Sequence, residues 1–436
     1  MSPETRMTAG GRPLFIETSK ALPLVSFAIA FQTGSYFDPP GKEGLSRFVG
    51  RMLRRGTKSK DAQVLEAAID RLGAELTVEV SHANFTVHGQ VIRRNLEPFV
   101  ALVAEVLADP AFAEDELERL RKKALAELVE ARDNDRALAQ IAFRKAMFGT
   151  HPYGRLSKKA SLLAIGAEEL RAHYAAHALR ENVSFGFAGD VEARDAVRIA
   201  EAWLAALPSS KTVPSFAALK DPQGPKGRTL VLVDKPERTQ TQIVIGALGT
   251  SGHDPDHVPL LVATAIFGGT FTSRLMREVR SKRGWSYGAS ARLAVERARH
   301  AFTIGTFPSA TDAAKCLALE LQLLDTFVSG GVLPKEVSFV KNYLMRSHAF
   351  EIDTPQKRMH QELDTYLLGL PSDYCSSYLA RVKATTPEAA NEAVRARIDP
   401  KNLAIVVVGT AKELDADLRA AIPDLASATV VPFDAE

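Results

Sequence analysis

The feature that most restricts the fold is an internal duplication. Residues Arg12–Pro39 read RPLFIETSKALPLVSFAIAFQTGSYFDP, and Arg228–Pro255 read RTLVLVDKPERTQTQIVIGALGTSGHDP. Without a gap, Arg12 falls on Arg228, Leu14 on Leu230, and Asp38-Pro39 on Asp254-Pro255. Each stretch is two runs of β-branched and apolar residues followed by a Gly/Asp/Pro turn, the pattern of paired strands. The halves also close alike. Glu181-Asn182-Val183 through Phe187-Ala188-Gly189 parallels Lys401-Asn402-Leu403 through Val407-Val408-Gly409, a last buried strand ended by glycine. Two such matches at nearly the same offset make the chain two copies of one unit. At 436 residues it is also too long for a single core. Between the copies, Ala217–Gly227 holds two prolines and two glycines among polar residues, a linker composition. We therefore expect an N-terminal domain over 1–221 and a C-terminal domain over 222–436.

Inside the first copy, Val64, Leu65, Ala68, Ile69 and Leu72 recur at helical spacing and stop at Gly73. Leu76, Val78 and Val80 then alternate with polar residues, and Phe85, Val87 and Gly89–Ile92 return as a second strand. Helices are predicted over 95–108, 114–132 and 136–147, with Pro110 separating the first two. The second copy repeats this order. A helix starts at Gly268-Gly269, strands lie near 285–294 and 300–306, and helices cover 311–328, 334–350 and 356–368. Runs of strands followed by runs of helices predict an α+β fold, with a mainly antiparallel sheet in each domain and helices packed on one face.

Composition removes several function classes. Lys+Arg of 55 against Asp+Glu of 52 leaves a net charge of +3, which supplies no overall pull toward nucleic acid or an anionic membrane. Two cysteines, Cys316 and Cys375, exclude a disulfide framework and a cysteine-rich zinc site. The apolar run Ala21–Phe31 is about half the length of a spanning helix, so no membrane span is expected. It also lacks a small-residue cleavage pattern. The default location is cytoplasmic, or periplasmic if a leader has been removed.

Chemistry enters at Gly44-Leu45-Ser46-Arg47-Phe48-Val49-Gly50-Arg51-Met52-Leu53-Arg54-Arg55-Gly56-Thr57. This stretch resembles that of the pitrilysin/insulinase-type metallopeptidases, the inverzincins that include mitochondrial-processing-peptidase-like enzymes. Their mark is H-x-x-E-H within G-L-x-H-F-x-E-H-M-L-x-x-G-T. In such a motif two histidines on one helical face bind zinc, and the glutamate between them activates water. The matching positions here are Arg47, Gly50 and Arg51. A guanidinium cannot ligate zinc and glycine cannot act as a base. Glu127 falls where the family's third ligand comes, without its partners.

The second copy keeps the family's other signature. Gly268-Gly269-Thr270-Phe271-Thr272-Ser273-Arg274-Leu275-Met276-Arg277-Glu278-Val279-Arg280 followed by Gly284-Trp285-Ser286-Tyr287 resembles its S-R-L, R-E-x-R and G…Y pattern. The resemblance covers essentially the whole chain. It implies that Arg280 and Tyr287 reach a zinc centre held elsewhere, binding substrate and stabilising the tetrahedral intermediate, with Gly268, Gly269 and Thr270 beside the substrate. It further implies a subunit with no cofactor of its own, paired with a homologous zinc-bearing H-x-x-E-H partner around an enclosed peptide chamber. Two alternatives come from other classes: a structural core-type homologue of a larger, respiratory-like complex, and a stand-alone peptide-binding protein. Locally, Gly284 suits a left-handed helix stop, placing Arg280 in the last helical turn and Tyr287 early on the next strand.

Other candidates are weaker. His173 and His177 stand four apart in a helical stretch with Glu169 one turn earlier, zinc-like spacing without a base between them. His253 and His257 share that spacing across a proline turn, which reads as an exposed loop. Arg47, Arg51, Arg54, Arg55, Lys58 and Lys60 form the most basic stretch, read first as a solvated or carboxylate-paired surface. Gly268-Gly269 has neither nucleotide-loop form, and no nucleic-acid partner is expected.

Overall fold

The computed structural model describes residues 3–435. The outermost residues of the two expected domains, Met1, Ser2 and Glu436, lie outside the described residues. Among the described residues, twelve strands form two six-stranded sheets. The first contains β1 (Glu4–Met7), β2 (Pro13–Thr18), β3 (Leu24–Phe31), β4 (Glu75–Val80), β5 (Phe85–Ile92) and β6 (Val183–Gly189), in the order β1-β2-β6-β3-β5-β4. The second contains β7 (Arg228–Asp234), β8 (Gln242–Leu248), β9 (Ala289–Leu293), β10 (Ala301–Thr306), β11 (Leu403–Gly409) and β12 (Leu425–Pro432), in the order β12-β7-β11-β8-β10-β9.

The duplication is therefore visible in topology. In both sheets the closing strand of the copy lies between its first two long strands, parallel to one and antiparallel to the other. The first sheet has one parallel pair, β2 with β6, and the second has two, β7 with β11 and with β12. The sheets are mixed, with antiparallel pairing predominant.

Two compact units are present, and they do not follow the simple halves of the chain. One contains the residues up to Glu127, Leu156–Ala218 and His348–Ser376, and the other contains Leu128–Arg155, Leu219–Ser347 and the residues from Ser377 onward. Each unit thus includes a segment from the opposite side of the linker near residue 222.

Side-chain alternation explains why. On β3, Phe27 points into an aromatic cluster with Phe99, Trp203 and Phe187, at ring separations of 5.6, 4.6 and 6.5 Å. The opposite face carries small residues: Ala28, Ala30 and Ala188 pack with Met359, Leu363 and Leu367 of the helix Pro355–Leu367. Gly186 completes this face, and a Cβ there would overlap the Met359 thioether. The second unit repeats the device. Phe143 and Met147, on the helix Asp135–Phe148, pack with Val244, Val406 and Val408, and Phe143 occupies the space that a side chain at Gly246 would need. The expected helical layer lies on one side of each sheet, and a single close-packed helix is added on the other.

Helices Leu96–Ala108, Glu114–Asp133 and Asp135–Phe148 agree with the sequence reading to within a residue or two. No single helix among the described residues is long and apolar enough to cross a membrane, although Ala310–Gly330 and Pro334–Glu351 meet that test together as a pair bent by 103°.

The helix Ala313–Gly330 carries a buried carboxyl, Glu320, on its inner side. Burial pushes Glu320 up to about 8, outweighing the neighbouring Thr306 hydroxyl and Cys316 thiol. Between its unfolded value near 4.5 and about 8, the native carboxyl keeps a proton that the unfolded one has lost. Stability therefore falls as pH rises through that window, by at most ~1.4 kcal/mol per pH unit. Denaturant titrations from pH 5 to 8 should show this decline in the wild type and a flatter profile in Glu320→Gln.

Candidate functional site

The helix Leu45–Met52 carries the positions at which a zinc motif would stand. Its start is fixed by Asp38, whose carboxylate accepts hydrogen bonds from the Gly44 and Ser46 backbone N–H groups, both at 2.8 Å, and from the Ser46 hydroxyl at 2.6 Å. Ser46 Oγ also lies 2.9 Å from His173 Nε2, joining this helix to Ala167–His177. With the hydroxyl proton directed to the carboxylate, the oxygen is left to accept from the imidazole. Burial and the neighbouring His177 hold His173 down to about 3, so it stays neutral. His173 and His177 stack at 4.0 Å, and Glu169 pairs with Lys42 at 2.7 Å. These residues form a structural clasp, and the metal reading of the pair gains no support.

Beyond the clasp, Arg47 and Arg51 project from the same helix toward Glu127 on Glu114–Asp133. Arg51 Nη2 lies 3.0 and 2.8 Å from the two Glu127 oxygens, and Arg47 Nη2 lies 3.4 Å from one of them. The carboxylate at the third-ligand position is thus neutralised by guanidinium groups. Gly50 faces the sheet, where a Cβ would approach Val78 Cγ1 to 3.1 Å and Phe85 and Val80 to 3.2 Å. No set of three or more His, Cys, Asp or Glu side chains among the described residues is arranged to hold a metal ion. The chemistry of this donor set does not fit zinc, because two of its three members are cations.

The rest of the basic stretch is carboxylate-paired. Arg54 contacts Glu66 at 2.7 Å, Lys58 contacts Asp109 at 2.6 Å, and Lys60 contacts Glu105 at 2.5 Å. The His253–His257 loop departs from the sequence reading. His257 is buried against Thr250 Oγ1 at 2.8 Å, and burial pushes it down to about 4.

The second candidate segment follows the helix His257–Thr264. That helix widens into a π-turn at Ala265–Gly269, so Gly268-Gly269 ends a helix, which corrects the expected helix start. A side chain at Gly268 would overlap the Ala291 backbone on β9, so glycine is required there for close packing. Thr270 is extended and buried, while the next side chain, Phe271, is 72% exposed. A second π-turn spans Met276–Ser281 and contains Arg280. Such turns are rare and recur at functional sites. Gly284, at φ 67°, is left-handed and ends the segment, and its N–H donates to the Arg280 carbonyl at 3.0 Å.

Three of the four arginines in this segment are paired. Arg274 makes contacts of 2.9 and 2.6 Å with Glu336, and Arg277 and Arg283 lie 3.5 and 3.0 Å from Glu278. Arg280 is different. Among the described residues its guanidinium has no carboxylate partner and lies over the Phe271 ring, 4.6 Å from the centroid. Tyr287 stands in the loop before β9, not on the strand as expected, and is 82% exposed. Its loop is tied down by Ser286, whose hydroxyl donates to the Gly288 carbonyl at 2.7 Å and accepts from the Phe307 N–H at 3.2 Å. Sequence reading had weighed Ser286 only as a nucleophile without a base, and had not singled out Phe271 or the Arg274–Glu336 pair. Phe271 lay inside the quoted motif, and its signal was an aromatic flanked by threonines, where a core residue has apolar company.

Arg280 and Tyr287 belong to one compact unit, and Arg47, Gly50, Arg51 and Glu127 to the other. Removing Arg51 should cost more stability than removing Arg47, because Arg51 makes two short contacts and is less exposed. We expect up to about 1 kcal/mol for Arg51→Ala and less for Arg47→Ala in denaturant titrations. Metal analysis after dialysis should find no stoichiometric zinc on the chain.

Comparison with known proteins places these observations in a family. Residues 15–158 match the insulinase family of peptidases, M16, and residues 164–344 match the peptidase M16 inactive domain. A Helicobacter pylori protein named non-peptidase homolog YmxG is 21% identical over 406 residues, covering 92% of each chain. An uncharacterized zinc protease of Rickettsia bellii is 25% identical over 301 residues, 68% of this chain and 71% of that one. Among solved structures, a peptidase M16 inactive domain from Pseudomonas fluorescens superposes with a TM-score of 0.86 at 26% identity, covering 94% of this chain and 98% of that one. The periplasmic protease PqqL of Escherichia coli shares the fold, with a TM-score of 0.77 at 14% identity, over 93% of this chain and 45% of that one.

Proposed function

The chain belongs to the M16 (insulinase) peptidase family, and we propose that it is the zinc-less subunit of a two-subunit zinc metallopeptidase. In this reading a homologous partner carries H-x-x-E-H and zinc. This chain contributes Arg280 and Tyr287, part of the wall of a peptide chamber, and Gly268, Gly269 and Thr270 beside the substrate. The observation that carries the reading is the contrast between the two candidate segments. Guanidinium groups occupy the ligand positions and pair with Glu127, whereas Arg280 has no carboxylate partner among the described residues and Tyr287 is exposed.

The chemistry assigned to this chain is binding and charge stabilisation. The partner's zinc supplies an activated water. Arg280 N–H groups and the Tyr287 hydroxyl donate to the peptide carbonyl oxygen, whose negative charge grows as the carbonyl carbon becomes tetrahedral. Donors already in place cost no reorganisation at that moment, and losing one typically lowers turnover by about 100-fold or more. Gly268 admits no side chain without displacing β9, so in this reading the backbone there keeps its path beside the bound peptide.

A second reading, a family member with no peptidase role, is favoured by the name of the H. pylori relative, a non-peptidase homolog. The two are separated by a pull-down from the native host, with zinc and peptidase assays on each subunit alone and on the mixture. We expect activity only on mixing, and a loss of about 100-fold in turnover for Arg280→Ala and for Tyr287→Phe. Stoichiometric zinc and peptide cleavage by this chain alone, or full activity of both variants in the complex, would overturn the proposal.

A further inference from the structure

We propose that Phe271 is the positioning residue of Arg280, holding the guanidinium plane by stacking so that its N–H donors stay free for a peptide carbonyl. The inference rests on the reading that Arg280 meets substrate. Its starting point is the contact itself: the Arg280 guanidinium carbon lies 4.6 Å from the Phe271 ring centroid. Phe271 contributes little to the core, since it is 72% exposed. The close neighbour of this exposed ring is a cation.

The nature of the contact decides what Arg280 can do. A carboxylate fixes an arginine by taking two of its five N–H donors, as Glu336 does with Arg274 at 2.9 and 2.6 Å. An aromatic face attracts the cation through its quadrupole and takes none of the in-plane donors. Phe271 therefore restricts the long side chain while leaving it chemically unspent. Local geometry makes this pairing possible. Thr270 is extended after the first π-turn, Phe271 begins the reversal, and the second π-turn at Met276–Ser281 presents Arg280.

Two measurements test the role. Phenylglyoxal labelling of the intact chain, read at Arg280 by mass spectrometry, should run about three- to ten-fold faster in Phe271→Leu and return toward the wild-type rate in Phe271→Trp. In the complex with the zinc-bearing subunit, Phe271→Leu should lower kcat by about three- to ten-fold with little change in KM, and Phe271→Trp should restore it. Wild-type labelling and turnover in Phe271→Leu, with activity lost in Arg280→Ala, would overturn the positioning role and leave the proposed function standing. Full activity in Arg280→Ala would overturn both. Equal losses in the leucine and tryptophan variants would also overturn the inference, since they would mark a steric role. Phe271 is exposed, so thermal melts of each variant should match the wild type.

Discussion

Burial of both faces of each central strand is the constraint from which the rest of the architecture follows. All seven residues of Leu403–Gly409 are buried, as are the first six of Val183–Gly189. A sheet of that kind cannot leave one side to water, because apolar side chains alternate onto both faces. One face receives the large residues and a helical layer. The other carries alanine and glycine, which lets a single helix come close enough for Met359 or Phe143 to fill the space. In each unit that helix comes from the opposite side of the linker, so the two halves of the chain are not self-sufficient. A cut near residue 222 would separate each sheet from its second cover.

At the segment that lines up with the family's zinc motif, the energetic problem is the pairing of a carboxylate. Glu127 is partly buried, and a carboxylate there needs a compensating charge. Arg51 provides it through two contacts, at 3.0 and 2.8 Å, and Arg47 adds a longer one. The clasp of Asp38, Ser46 and His173 fixes the start of the helix that presents both arginines. The scaffold of the motif therefore persists with its chemistry exchanged. Two cations on one anion form an ion-pair cluster at this segment, with no neutral nitrogen or thiolate donor among them.

Much of this was legible beforehand because it depended on local pattern. The duplication showed in gap-free matches such as Arg12 with Arg228, and the topology reproduces it in the placement of the closing strands. Helix ends were readable where glycine or proline marked them. The exchanged helices were not read, because periodicity reports that a helix has an apolar face without naming the sheet it covers. A clue was nevertheless present: Ala28, Ala30, Gly186 and Ala188 are too small to fill a core by themselves. At the second segment, the signature identified Arg280 and Tyr287, but spacing alone could not foresee π-turns. A wider turn shifts every later side chain around the helix axis, and it is packing that selects it. The stretch 285–294 read as strand because Trp285 and Tyr287 favour strands, whereas Ser286 ties the backbone into a loop and the strand begins at Ala289.

The state of Arg280 bears on whether the second segment is a relic or a working site. If this arginine only completed a helix end, it would be expected on the last carbonyls or on a nearby acid, as Arg283 is on the Glu278 carbonyl and carboxylate, both at 3.0 Å. The helix end is already satisfied without its side chain, because the Gly284 N–H reaches the Arg280 carbonyl at 3.0 Å. Glu278 is shared among Arg277, Lys282 and Arg283, which leaves Arg280 outside that network. A flexible side chain left to water would have to lose its freedom when a ligand bound, at a cost of about 0.5–1.5 kcal/mol. Stacking on Phe271 meets part of that cost in advance while committing none of the donors. A tethered loop does the same for Tyr287, whose phenol is exposed although its backbone is held through Ser286. Arg280 is half-buried against Phe271 and Tyr287 is exposed, a state of the two side chains consistent with the oxyanion-binding role proposed for them.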